Sequence, residues 1–216
     1  MRYSKSAVTL LESFGFAAHA FVAPLDRPVA HVRIAALRAL GCFLAHCSPR
    51  SHDRFVSESG FAFIGDKLAP YGVGEHTCAA VLQLLVADTR PVVERPRVGD
   101  TTHLIHASAL TAFAELLAAA TELAVVHAAL QDLIFFATSA ANCDAVLALS
   151  CWPLWLLQVP LRAAPLAHTV EDVEVLFELS ASFIATLLAH AVRKQTDGWQ
   201  HVEEVSRMST LNRTSH

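Results

Sequence analysis

"RFVSESGFAFIGDKL" (residues 54–68) and "AVLALSCWPLWLLQV" (residues 145–159) align without a gap at an offset of 91 residues. Phe55 and Val56 match Val146 and Leu147, Ser59 matches Ser150, and Gly60 matches Cys151. Phe61 then matches Trp152, Ile64 matches Trp155, and Leu68 matches Val159. The offset is about twice an armadillo or HEAT unit, and "HASALTAFAELL" (residues 106–117) between them reads as a fainter copy. Each copy predicts a short helix, a sharp corner and a longer helix. Trp152 and Trp155 lie three apart after the corner and so share a helix face. Pro153 falls in that helix's first turn, where a missing N–H costs little, and Pro160 is expected just past its last turn. The rings at Phe61, Trp152 and Trp155 are therefore read as wedges between stacked repeats. An aromatic ligand box is the competing reading, since buried indole N–H groups need partners.

The rest of the chain carries helical period too. In "VRIAALRALGCFLAHC" (residues 32–47), Val32, Ala35, Ala36, Ala39, Leu40, Phe43 and Leu44 recur at three- and four-residue steps. Asp26 and Pro28 precede it as start signals. "HTCAAVLQLLVAD" predicts another helix, stopped by the Pro/Arg-rich "TRPVVERPRVGD". Residues 101–120 and 122–138 read as two antiparallel helices, and a long helix is expected over 168–194. At its start, Thr169 ahead of Glu171 and Asp172 suits the free N–H groups and the dipole. A short last helix is expected after Gly198. The expectation is an all-α, armadillo/HEAT-like α-solenoid, a right-handed superhelix of stacked helical hairpins. Its parts are N-terminal repeats over 1–90, a loop over 91–100, and C-terminal repeats over 101–216 that continue the same solenoid.

Composition narrows the functions. Of 216 residues, 54% are hydrophobic and 17% charged, with a mean hydropathy of +0.42. Surfaces so poor in charge point to protein neighbours. A net charge of −4 and a pI near 6.3, with no clustered basic stripe, argue against a nucleic-acid partner. Arg193-Lys194 reads as a helix-end pair. Five cysteines with no CxxC fit reduced thiols in a cytosolic setting. The longest charge-free run, 145–161, falls just short of the roughly 18 residues of a spanning helix and holds two prolines. No transmembrane helix is expected.

Twelve histidines raise metal or acid–base chemistry. His103 and His106 form an HxxH that at helical spacing would present two nitrogens to one metal, with Asp100 the nearby carboxylate. The alternative function, a small helical metal protein or enzyme, rests on that pair, whereas the main reading is two unconnected, partly exposed histidines at a helix start. HExxH, a P-loop, GxGxxG and GxSxG are absent. Cys42, His46 and Cys47 lack a second cluster and read as core-filling groups. His190, within "LLAHAV", reads as a core histidine bonded to a main-chain carbonyl. Glu171, Glu174 and Glu178 read as a solvated stripe. Gly198 and Trp199 read as a turn and a closing cap over the last apolar groove. No catalytic residue, cofactor or metal is assigned.

"VRIAALRALGCFLAH" resembles the segment VR-x-x-AL-x-ALG-x-FL-x-H found upstream of the BEACH domain in neurobeachin-type proteins. "FIGDKLAP", "QDLIFFATSAANCDAVLALSCWPLWLLQV" and "LLAHAVRKQTDGWQHV" follow in that family's order, so the similarity spans roughly residues 29–212. Two departures stand out: the family's paired glycine is Asp197-Gly198, and the tryptophan expected three residues after Trp199 is Val202. The resemblance identifies the armadillo-like region upstream of the PH-BEACH module, as a fragment or truncated relative. It implies a non-catalytic scaffold in vesicle traffic and membrane-protein sorting. Such a scaffold is cytoplasmic, contacts protein partners and lies peripherally on endomembranes.

Overall fold

The computed structural model describes residues 5–90, 95–96, 102–149, 152–194, 202–203 and 205–207. These form α-helices joined by 3-10 turns and loops, and among the described residues there is no strand. The chain divides into two compact units. One comprises Met1–Arg97 with Leu104–Leu116, the other Val98–His103 with Leu117–His216.

The first unit contains α1 (Lys5–Ser13), α2 (Ala30–Leu44), α3 (Pro49–Ser57), α4 (Gly60–Leu68), α5 (Glu75–Leu85) and the start of α6 (Ala109–Ala118). Its main packing is α2 against α5. The α2 face differs from the predicted one. Arg33 and Leu37 are buried, whereas Ala35 is exposed and Val32 only half-buried. Leu37 offers more apolar area than Ala35, and Arg33 has a use for its charge. It donates to Arg27 O at 2.7 Å and Pro28 O at 2.8 Å, and its guanidinium sits 4.3 Å from the Tyr71 ring centroid. At the start of α3, Ser48 accepts from Ser51 N–H while Pro49 takes the first turn. Glu12 of α1 accepts from Ser48 N–H and from both serine hydroxyls, tying α1 to that cap.

The corner between α3 and α4 is built from Ser59 in the left-handed region (φ 59°) and Gly60. A Cβ on Gly60 would lie 2.4 Å from the Phe55 ring, so only glycine lets the corner close over that phenylalanine. Phe55 meets Phe61 edge-on at 5.1 Å.

The second unit contains α7 (Leu123–Phe136), α8 (Ala140–Leu147), α9 (Trp152–Ala163) and α10 (Val170–Lys194). All of α7, α8 and α9 pack on α10. Asn142 is buried and donates to Phe136 O at 3.0 Å and Thr102 O at 2.8 Å, fixing the α7–α8 corner. The start of α10 is a reciprocal cap. Asp172 N–H donates to Thr169 Oγ1, and the Asp172 carboxylate accepts from Thr169 N–H.

Two expectations about helix ends are corrected. Pro160 lies inside α9, which runs on to Ala163. The ring is buried there, and the missing donor falls only one turn before the chain passes into the 3-10 turn Ala164–Leu166. The helix expected from 101 begins only at Ala109. Before it, Ile105 and His106 spend their N–H groups on Leu85 O, at 2.9 and 3.0 Å, capping the end of α5.

By length and composition one described helix, α10, could itself cross a membrane, with 33% of the qualifying window buried. That qualifies the expectation drawn from residues 145–161. Its apolar character has a second use, because Leu176, Phe183, Ile184, Leu187 and Ala191 form the stripe that α10 buries.

Candidate functional site

In the second unit a groove of about 550 Å3 runs beside α10. Ala137, Thr138 and Ala140 of the α7–α8 corner form one wall. Ala185, Ala189 and Arg193 of α10 are on the other. Most of the lining side chains are small, four alanines with Thr138, Cys143, Ser182 and Thr186, beside the larger His190 and Arg193. Cys143 donates its thiol to Ala137 O at 3.2 Å, and burial pushes that thiol's pKa up, which disfavours the thiolate.

His190 of α10 also lines the groove. Its Nε2 lies 2.8 Å from Asp144 Oδ1, and Lys194 bonds the other oxygen of the same carboxylate. These two partners, Lys194 first, hold the Asp144 carboxyl below the usual aspartate range. The partner of His190 is thus a carboxylate one helix away and not the main-chain carbonyl expected. The Arg193-Lys194 pair is split: Lys194 turns to Asp144, while Arg193 lines the groove with no ion-pair partner among the described residues.

The other predicted positions fall as follows. Phe61 and Trp152 are buried, at 3% and 1% exposure. Trp155 is half-buried, and its indole Nε1 is enclosed with no hydrogen-bond partner among the described residues. Gly198 and Trp199 lie outside the described residues.

The HxxH pair does not converge. Residues 102–108 are not helical, His103 is exposed, and His106 is buried. His106 instead pairs with His52 of α3, Nδ1 to Nε2 at 3.1 Å with rings stacked at 5.2 Å, against Phe61 at 6.0 Å. Burial first, and the neighbouring His52 second, pull the His106 pKa down to about 4. Among the described residues no three His, Cys, Asp or Glu groups gather as a metal site.

Sequence reasoning missed Asp144, His52 and Arg33 as partners. Asp144 and His190 are 46 residues apart, and His52 and His106 are 54 apart, so no local spacing could reveal either pair.

A family model described as the DUF4704 alpha solenoid region of the neurobeachin/BDCP proteins matches residues 3–211. The chain belongs to that family. No curated protein and no solved structure matches it significantly. The family assignment makes this an all-α solenoid segment of neurobeachin type. A surface groove between packed helices accords with the scaffold character of such a region.

Proposed function

We propose that this chain is a non-catalytic protein-interaction segment of a BEACH-type scaffold, and that it contributes to vesicle trafficking and membrane-protein sorting. It acts in the cytoplasm, reaching endomembranes peripherally through the longer protein it serves. The observation that carries this reading is the groove beside α10 in a chain of this family. Its walls carry mostly small side chains, with Thr138, Ser182 and Thr186 offering hydroxyls and Arg193 a charge, which suits seating a helix that brings polar groups of its own. The use of α10's apolar stripe by α7, α8 and α9 supports a role outside the bilayer. The structural roles of Phe61, Trp152 and Trp155 as wedges belong to the same reading.

The test is proximity labelling in cells with the chain fused to a biotin ligase, beside a fusion carrying Ala185→Arg in the groove. Enrichment of vesicle-coat and sorting proteins that Ala185→Arg abolishes is the expected result. Labelling unchanged by the substitution, or an enriched set with no trafficking proteins, overturns it.

A further inference from the structure

We propose that the open side of α10 pairs with the same side of a second copy of this chain, the two helices running antiparallel. The inference deepens the protein-interaction reading and rests on it, naming the occupant of the groove.

Glu174, Glu178, Ser182, Ala185, Ala189 and Arg193 are all exposed and follow one another at steps of four, four, three, four and four. That spacing keeps neighbours in the row on one side of the helix, with a drift of about 60° from Glu178 to Arg193. The last four also line the groove. At the middle of the face every side chain is small, so another helix can approach closely. Phe177 and Val192 flank the face, at 41% and 37% exposure, and would gain burial under a neighbour.

The charges decide which neighbour. The face is acidic at its start and basic at its end, and neither Glu178 nor Arg193 has an ion-pair partner among the described residues. An occupant must carry a base opposite Glu178, an acid opposite Arg193 and small residues between. A second α10 meets that requirement when reversed. With the two-fold axis between Ala185 and Thr186, Glu178 of each copy faces Arg193 of the other, and Ser182 faces Ala189. A parallel pairing would set like charges together. Such a self-complementary patch, with each contact made twice, is the signature of a two-fold interface. The neighbouring Lys194 does not blur the pattern, since Asp144 holds it.

Sedimentation velocity on the full chain over a concentration series tests this. The wild type is expected to shift from monomer to dimer as concentration rises. Glu178→Arg and Arg193→Glu should each weaken the dimer by about ten-fold or more, because two attractions become two repulsions. The double variant E178R/R193E should recover it. An equimolar mixture of the two single variants should form a heterodimer, because each then offers what the other lacks. All substituted positions are exposed; circular dichroism checks folding, and Ala185→Arg provides a second, central disruption. A wild type that stays monomeric throughout overturns the inference and leaves the groove to another helix, of a longer chain or a foreign protein. A dimer indifferent to all these changes overturns it equally. Proximity labelling reads foreign partners and sedimentation reads self-association, so failure of one reading is distinguishable from failure of the other.

Discussion

Helices α5 and α10 follow matching hairpins, α3–α4 and α8–α9, yet they meet their surroundings in opposite ways. Every residue of α5 from Thr77 to Leu85 is buried, including the polar Thr77 and Gln83. Over its 25 residues α10 buries a stripe only, from Leu176 through Ser180, Phe183 and Leu187 to Ala191. The first helix is a core element that can tolerate no charge along that length. The second is the platform for α7, α8 and α9 on one side and carries glutamates, alanines and Arg193 on the other. Repetition of the hairpin in sequence therefore does not fix the use of the helix that follows. The groove is found where the third helix is left half open.

The largest test of this comparison removes the matched ring from each hairpin. Phe61→Ala and Trp152→Ala should each cost about 3–5 kcal/mol, the usual range for emptying a buried aromatic site. Chemical denaturation followed by circular dichroism reads both. Trp155→Ala should cost less than half as much as Trp152→Ala, since Trp155 is only half-buried. Equal losses at the two tryptophans would mean that Trp155 is packed as fully as Trp152, as Ile64 is beside Phe61 in the first hairpin.

The next difference is chemical and belongs to the first unit alone. His106 is packed against His52 and Phe61, with Asp53 3.6 Å from the far side of the His52 ring. A histidine in the unfolded chain titrates near 6.5, whereas His106 in the fold titrates at about 4. The unfolded state therefore binds the proton first. The stability His106 permits is complete above pH 6.5 and drains away as the pH falls toward 4, by up to about 3 kcal/mol. Denaturation midpoints between pH 7 and 4 should show this slope, and His106→Phe should flatten it. A slope that survives the substitution would move its origin to another group, because the carboxylates of Asp144 and Glu12 are held low and lose their contribution at more acid pH.

How much of this was legible beforehand depended on range. The corner hairpins, the acidic start of α10 and its end at Lys194 are local in sequence, and periodicity or capping residues announce them. Family membership was also legible, because ordered motifs run along most of the chain. The face of α2 was misjudged because counting apolar residues ignores what an arginine can do with three partners nearby: two carbonyls and a tyrosine ring. The helix expected from 101 starts late because the N–H groups of residues 105 and 106 are drawn to the end of α5. The groove itself was illegible. It exists because alanines from an inter-helix corner face alanines on α10, and alanine at a surface groove looks the same in sequence as alanine in a core.

Substitution at the first corner gives a smaller effect. Gly60→Ala gains up to about 1 kcal/mol of helix propensity. Against that, the new methyl group would meet a fully buried Phe55 ring at 2.4 Å, and overpacking of this kind costs about 1–3 kcal/mol. Strain should win, for a net loss of about 1–2 kcal/mol in chemical denaturation. The matching position in the second copy is Cys151, larger than glycine, and its hairpin carries Val146 in place of Phe55. The double variant Phe55→Val/Gly60→Ala should therefore lose less than the sum of its singles, and strict additivity would break the equivalence of the two corners.

The smallest effect concerns why α5 stops after Leu85 while α10 continues for 25 residues. Ala87 takes up the left-handed region at φ 52°, its N–H donates to Leu84 O, and Asp88 N–H donates to Gln83 O at 2.8 Å. This is the Schellman arrangement, which usually places glycine where Ala87 stands. Helix α1 ends the same way with Gly15 at φ 79°, Gly15 N–H donating to Glu12 O and Phe16 N–H to Leu11 O. An alanine in that region carries a steric cost of about 1 kcal/mol or more. Glycine removes that cost but loosens the unfolded chain by about 0.4–1 kcal/mol. Ala87→Gly should thus raise stability by about 0.5 kcal/mol, and Gly15→Ala should lower it by a similar amount. Opposite signs at the two sites, read from matched denaturation curves, would show that α5 is ended by backbone geometry. If both changes destabilise, the methyl group of Ala87 contributes packing that outweighs its strain, and α5 stops because its neighbours leave no room to continue.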